Sequence, residues 1–226
     1  MNKSSPHRLW YVDLVRGLAI IGMIVYHLIF DLYILGQSHL NPLSPPLIVF
    51  ARLIASLFLF LVGVTFFLSQ KKYPHHRQLF IHSLKHSLVI FLAASLVSLV
   101  TFLINPGLTV RFGILHLISV SLLLLLPLSL IKSSLPLLLL ATLFLIIPQS
   151  SSVSPSFDYY PAFPWFGAVL LGYALASKIP LSHPEKPPPP LFSPLLFLGR
   201  HSLTTYLFHQ PILIFFLYLL SRFSNV

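Results

Sequence analysis

The sequence predicts an all-α fold, a polytopic transmembrane helix bundle of about seven spans. Two observations carry this prediction. Of the 226 residues, 56% are hydrophobic and only 8% are charged, whereas a soluble domain carries about 25% charged residues. Such a chain cannot cover a water-facing surface, so we expect a single domain over residues 1–226 that is embedded in a membrane.

Seven apolar segments are candidates for membrane helices. They are residues 10–34, 47–69, 84–104, 110–131, 134–148, 161–177 and 199–221. The fifth is the shortest, and Pro136 and Pro148 mark its ends. Residues 183–194, HPEKPPPPLFSP, predict an extended proline-rich linker between the last two spans.

The distribution of basic residues predicts the orientation in the membrane. The loops 70–85 and 178–200 are rich in Lys and Arg, as is the N-terminus, whereas the loops 35–46, 105–109 and 149–160 contain none. The positive-inside rule therefore places the N-terminus in the cytoplasm. The same rule explains the net charge of +10, so we expect membrane lipid as a partner and no nucleic acid.

The first span, VDLVRGLAIIGMIVYHLIFD over residues 12–31, contains four ionisable side chains. At 100° per residue, Asp13, Arg16, His27 and Asp31 lie within an arc of about 60° on one helix face. From Asp13 to Asp31 the helix rises about 27 Å, close to the thickness of the hydrocarbon core. Because lipid cannot solvate charge, this polar stripe must face the protein or a wet cavity.

Two interpretations of the polar stripe stay open. Asp13 with Arg16 at i+3, and His27 with Asp31 at i+4, could be structural ion pairs. A carboxylate one turn from an imidazole is also how a general base is oriented, and ionisable residues inside a membrane are functional by default. We therefore expect His27 and Asp31 to be catalytic.

Other spans add polar residues. With the predicted orientation, Arg52, Arg111, His116 and Trp165 lie at the same outer depth as His27. The last span carries His201 at its cytoplasmic edge and His209 with Gln210 deeper, one turn beyond Tyr206. The candidate substrate-binding residues are Arg16, Arg52, Arg111, His116, Trp165, His201, Tyr206, His209 and Gln210. The sequence shows no cysteine and no metal-ligand cluster, so we expect no metal.

The first span and four further stretches, in order along the chain, resemble the transmembrane acyltransferase superfamily. More narrowly, they resemble the bacterial relatives of the heparan-α-glucosaminide N-acetyltransferase catalytic domain. Arg16 and His27 fit the R-x10-H spacing of acyltransferase-3 proteins in that superfamily. The resemblance covers nearly the whole chain. It is carried by residues 8–33 and by FLFLVGVTFFLS (58–69), RFGILHLISVSLLL (111–124), FPWFGAVLLGYALA (163–176) and LGRHSLTTYLFHQPILI (198–214).

The resemblance implies an enzyme of the bacterial cytoplasmic membrane. It would take an acyl group, above all acetyl, from acyl-CoA on the cytoplasmic side. It would pass that group to a hydroxyl or amine of a sugar or glycan outside. Acetyl-CoA or another acyl-CoA is then the donor substrate, Arg16 binds it, and His27 is the intramembrane histidine of the motif.

The chain departs from the family pattern in two ways. The heparan-acetylating branch has Asn at the position of His27, and its active histidine lies in the following loop, where the nearest counterpart is His39. Many superfamily members have ten or more spans, so this chain is a minimal core or needs a partner, a homodimer being one solution. The competing functions are a proton-coupled transporter, which would use the polar stripe as a relay, and a non-catalytic membrane subunit.

Overall fold

In a computed structural model of the chain, residues 9–147, 158–179 and 187–224 are described. These residues form eight α-helices and two short 3-10 turns, with no strand. The helices are α1 (Trp10–Ile34), α2 (Pro45–Lys72), α3 (His76–Ile104), α4 (Ile114–Leu128), α5 (Ser134–Ile146), α6 (Ala162–Ala176), α7 (Ser193–Arg200) and α8 (Ser202–Ser224). The predicted all-α class is confirmed for this part of the chain.

Four of these helices are long and apolar enough to cross a membrane, namely α1, α2, α3 and residues Ser202–Leu220 of α8. At 1.5 Å per residue, α4, α5 and α6 reach only about 20–23 Å, short of a hydrocarbon core of about 30 Å. The chain is a multi-pass membrane protein. The count of seven spans and the cytoplasmic N-terminus stay predictions.

The helix ends follow local chemistry. Pro45 and Pro46 open α2, in the first turn where a missing N–H costs nothing. The first helix ends at Ile34 as predicted, and Gly36 follows with a φ of 70°, a left-handed conformation that glycine adopts without strain. The third helix begins at His76, two turns before the predicted residue 84.

The region before the last helix differs from the prediction. Residues 183–186 of the proline-rich segment lie outside the described residues, and Pro190–Phe192 form a 3-10 turn. The short helix α7 then begins at Ser193, because Pro194 fits the first turn of a helix. At His201 the backbone leaves the helical region, with φ −107° and ψ 29°. The predicted span 199–221 therefore includes the last two residues of α7, and α8 begins at Ser202.

The described helices fall into two compact units. The first combines the described parts of residues 1–55 and 181–226, and the second the described parts of 56–180. In the first unit, α1 packs against α7 and α8. In the second, α3 packs on α4 and α5 packs on α6. The prediction of one domain is not tested by this division.

Glycines set the closest helix contacts of the first unit. A Cβ on Gly17 would strike the carbonyl oxygen of Leu195, and one on Gly199 would strike the carbonyl oxygen of Asp13. Small residues let the backbones of membrane helices approach in this way. The two glycines therefore hold α7 directly against the polar stripe of α1.

The second unit is held by glycines and buried polar side chains. A Cβ on Gly63 of α2 would strike the carbonyl oxygen of Val169 in α6. The Tyr173 hydroxyl donates to Gln70 Oε1 at 2.8 Å, and Ser87 pairs with Ser119 between α3 and α4 at 3.0 Å. These hydrogen bonds satisfy polar groups that lipid could not.

Candidate functional site

The polar stripe of α1 faces α7 and α8. Asp13 and Arg16 contact residues 199–200 of α7. His27 and Asp31 contact residues 209–210 of α8. All four stripe residues therefore face other parts of the protein, as the cost of charge in lipid predicts.

At one end of the stripe, two arginines surround a buried carboxylate. Asp13 is 2% exposed, and Arg16 Nη1 lies 3.1 Å from its Oδ1, which confirms the predicted i+3 pair. Arg200 Nε lies 3.8 Å from Asp13 Oδ2, and the Arg200 side chain is 48% exposed. Arg16 Nη1 also donates to the Gly199 carbonyl at 3.4 Å. Among the described residues, two positive charges lie against one negative charge here, and we name this the cationic end of the stripe.

At the other end, Gln210 holds Asp31. The Gln210 Nε2 amide donates to Asp31 Oδ1 at 2.8 Å and lies 3.0 Å from Oδ2. Asp31 is 8% exposed, so a hydrogen bond to its charge is worth more than one between neutral groups. The contact joins α1 to α8, and we name it the carboxylate–amide clamp.

The expected pairing of His27 with Asp31 is replaced by a different arrangement. The i+4 spacing predicted that the carboxylate would hold the imidazole, but His27 Nδ1 instead lies 2.9 Å from the carbonyl oxygen of Met23 in its own helix. The carboxylate is taken by Gln210. The donor to Asp31 is therefore a residue of α8. Residue spacing along α1 cannot reveal a donor from another helix.

A second imidazole lies beside His27. The rings of His27 and His209 are 4.8 Å apart between centroids and meet edge to face at 81°. His209 is 9% exposed, and its Nδ1 lies 2.6 Å from the carbonyl oxygen of Tyr206. The Tyr206 ring lies 5.5 Å from that of His209. We name His27 and His209 the imidazole pair.

The backbone fixes the tautomer of both imidazoles. A carbonyl oxygen only accepts hydrogen bonds, so Nδ1 of each neutral ring must carry the proton. The Nε2 atom of each ring then has a lone pair, which is what a general base or a nucleophile requires.

Two polar atoms at this site are buried without a hydrogen-bond partner. They are Nε2 of His209 and Oε1 of Gln210, two of four such side-chain atoms among the described residues. A buried acceptor without a donor costs about 1–3 kcal/mol. Both are acceptors here, so a ligand that brings O–H or N–H donors would relieve the cost.

The remaining predicted residues are distributed over both units. Arg52 belongs to the first unit and is exposed. Arg111, His116 and Trp165 belong to the second, so the predicted matching of their depth with His27 is not tested. His201, in the first unit, is exposed at the α7–α8 junction.

In the second unit, His116 and Trp165 are engaged locally. His116 Nδ1 accepts the Gly113 N–H at 3.3 Å, and the imidazole stacks on Phe112 at 5.7 Å. The Trp165 ring lies 4.8 Å from Tyr160. Among the described residues no group of three or more His, Cys, Asp or Glu could hold a metal ion.

A comparison with protein-family models assigns the chain to a family. The model described as heparan-alpha-glucosaminide N-acetyltransferase, catalytic, matches residues 8–211. The chain belongs to this family. Membership implies a membrane acetyltransferase. Comparisons with curated proteins and with solved structures found no match.

The family match covers both ends of the polar stripe and the residues that oppose it. The sequence places Asp13 on the polar stripe but not among the candidate site residues, and for Arg200 an anion-binding role competes with the ordinary positive-inside role. The structure joins these two residues. The sequence contained two hints of this contact: Asp13 lies on the same helix face as His27, and Gly199, next to Arg200, is small enough to allow close helix packing. The sequence did not predict that α7 packs against α1, and this contact is what brings Asp13 and Arg200 together.

The carboxylate–amide clamp gives a stability prediction. Gln210→Ala should lower the free energy of unfolding by about 1.5–3 kcal/mol, because it leaves the buried Asp31 carboxylate without its donor. Unfolding in mixed detergent micelles measures this value, and a double-mutant cycle with Asp31→Ala should give a coupling energy of about 1–2 kcal/mol. Gln37→Ala, at an exposed glutamine just beyond α1, is the control and should stay within about 0.5 kcal/mol. Additive effects of the two clamp variants would contradict the clamp.

Proposed function

We propose that this protein is a membrane-embedded enzyme that transfers an acetyl group from acetyl-CoA in the cytoplasm to a hydroxyl or amine of a sugar or glycan outside. The bacterial cytoplasmic membrane is its location in this proposal. The observation that carries the proposal is the imidazole pair, two histidines whose Nε2 lone pairs are set by backbone carbonyls inside a membrane helix bundle. Such groups are expensive in a membrane and suit proton transfer.

The chemistry assigned to His27 is that of a general base. Its Nε2 removes the proton from the acceptor hydroxyl or amine, whose oxygen or nitrogen attacks the thioester carbonyl carbon. A C–O or C–N bond forms, the C–S bond breaks, and the CoA thiolate takes up a proton. An acetyl-histidine intermediate would use the same lone pair as a nucleophile, and single-turnover trapping with labelled acetyl-CoA distinguishes the two routes.

His209 and the clamp are assigned to positioning in this reaction. Gln210 holds Asp31 on α1, and His209 precedes Gln210 in the chain, so the clamp fixes the distance between the two imidazoles. The unpartnered Nε2 of His209 can accept a hydrogen bond from an acceptor amine or hydroxyl and so help to hold it beside His27. Asp31, one turn from His27 on α1, places negative charge near the imidazolium that forms when the base takes the proton.

The cationic end of the stripe is assigned to the donor. CoA carries phosphates, and arginine binds phosphate through charge-assisted, bidentate hydrogen bonds. Arg200 is half exposed and lies on the side of the protein that the positive-inside rule assigns to the cytoplasm. Asp13 holds Arg200 in place from α1, and Arg16 binds the other oxygen of the same carboxylate.

Reconstitution in proteoliposomes tests the proposal. With [¹⁴C]acetyl-CoA on one side and glucosamine trapped on the other, we expect acetylated sugar in the lumen and none without acetyl-CoA. Glucosamine flux that does not depend on acetyl-CoA would instead support a transporter. The absence of transfer and of flux, in a folded protein, would support a non-catalytic subunit.

A further inference from the structure

A groove of about 440 Å³ runs along α8 in the first unit. It extends from His201 to Leu213, which is about 18 Å along the helix axis. Its walls are mostly apolar, with Ile24 from α1, Phe197 from α7 and Ile212 from α8. A groove of this length beside the candidate site fits an occupant with a long shape.

The groove reaches the imidazole pair. His209 is part of its lining, and the His209 ring lies 4.8 Å from that of His27. The other polar lining groups are largely used within the helices. His201 Nδ1 lies 3.0 Å from the Phe197 carbonyl oxygen, and the Thr205 hydroxyl donates to the His201 carbonyl at 3.0 Å. The lining therefore offers few hydrogen bonds to an occupant.

This lining discriminates between two kinds of occupant. The pantetheine arm of CoA carries two amides and a hydroxyl, and each would lose hydrogen bonds to water in such a groove. A hydrocarbon chain has no such groups and loses nothing. The groove therefore fits a hydrocarbon chain better than the arm of the donor.

The acetyl group cannot supply that chain, because it has two carbons. The groove lies along a helix long enough to cross a membrane, where the chains of bilayer lipids run in the same direction as the helix. We infer that the acceptor is a sugar carried on a membrane lipid, and that the hydrocarbon chain of this lipid lies in the α8 groove with the sugar at the imidazole pair. This inference rests on the proposed function.

The reaction on such an acceptor balances without another reactant. The sugar hydroxyl or amine loses a proton to His27 Nε2 and bonds to the acetyl carbon, while the C–S bond of acetyl-CoA breaks. The products are the acetylated lipid-linked sugar and CoA. An enzyme that attaches sugars to membrane lipids must therefore act before this one.

Photo-crosslinking tests the position of the chain without any turnover. The probe is dodecyl glucosaminide with a diazirine near the end of its chain, added to the full-length protein in lipid nanodiscs. We expect labelling of residues 197–213 that an excess of unlabelled dodecyl glucosaminide suppresses. A diazirine phospholipid reports ordinary contact with bilayer lipid. The inference is wrong if the glucosaminide labels the same residues as the phospholipid and an excess of unlabelled glucosaminide does not reduce this labelling.

Kinetics with matched variants test the role of the groove. Ile212 and Ile214 are 49% and 54% exposed on the same helix, but only Ile212 lines the groove. At a fixed mole fraction of dodecyl glucosaminide, Ile212→Trp should raise KM by about tenfold and leave kcat unchanged. Ile214→Trp should leave both values unchanged. With methyl glucosaminide, which has no long chain, the wild-type protein and both variants should have the same KM and kcat. A KM that Ile212→Trp does not move would contradict the inference.

Two further outcomes separate this inference from the proposed function. If the wild-type protein prefers decanoyl-CoA to acetyl-CoA and Ile212→Trp removes that preference, the groove belongs to the donor chain and the inference is wrong. If no donor and no acceptor supports transfer, the proposed function is wrong. The saturable crosslink at residues 197–213 then still decides whether the groove binds a lipid-linked sugar.

Discussion

His27→Ala should reduce acetyl transfer by about 10²–10⁴-fold, the usual contribution of a general base. The substitution removes the imidazole whose Nε2 lone pair is set by the Met23 carbonyl. It leaves the carboxylate–amide clamp intact, because Asp31 is held by Gln210 and not by His27. The measurement is the rate of labelled acetyl transfer at saturating acetyl-CoA, with the unfolding midpoint recorded to show that the protein is folded.

His39→Ala is the decisive control for this prediction. His39 is the nearest counterpart of the active loop histidine in the heparan-acetylating branch, and it is exposed just beyond α1. We expect its removal to change the rate less than about twofold, the scale of a surface substitution away from the reacting groups. Loss of activity in His39→Ala with activity retained in His27→Ala would reverse the assignment.

Gly199→Ala should be the most damaging small substitution in the first unit. The added Cβ would meet the carbonyl oxygen of Asp13, a backbone atom that cannot rotate away, so α7 must move off α1. Overpacking of this kind costs about 1–3 kcal/mol. Because Arg200 follows directly, its ion pair with Asp13 should also weaken. We expect a lower unfolding midpoint and a raised KM for acetyl-CoA.

Gly22→Ala is the matched control on α1. Its Cβ would meet Ile54 Cδ1 at 2.6 Å, the end of a flexible side chain that can turn aside. Alanine also favours a helix over glycine by about 1 kcal/mol, so we expect little net change in the free energy of unfolding. Equal destabilisation by Gly199→Ala and Gly22→Ala would show that the close backbone contact of α7 with α1 does not explain the effect of Gly199→Ala.

The sequence predicted the helices well because their causes are local. Apolar composition and the cost of an unpaired backbone in lipid determine where α1 and α2 lie. The arc formed by Asp13 and Asp31 follows from 100° per residue. The prediction that this face meets the rest of the protein needed only the cost of buried charge.

The parts that the sequence could not provide depend on contacts between helices. Spacing along α1 offered Asp31 as the partner of His27, whereas the structure gives it to Gln210. The contact of α7 with α1 is likewise a tertiary feature, which Gly17 and Gly199 permit. The break at His201 follows directly after this contact. No periodicity within one helix contains that information.

The most direct test of the account is a structure of the full-length protein with a stable acetyl-CoA analogue. We predict that the acetyl carbonyl carbon faces His27 Nε2 across the space that the acceptor fills. An acceptor atom beside His27 Nε2 would then lie about 3–4 Å from this carbon, as reacting atoms do in productive complexes. The phosphates should lie at Arg200 and Arg16. An acetyl group held beside His116 in the second unit, or beside His39, would contradict the claim that the imidazole pair is the catalytic centre.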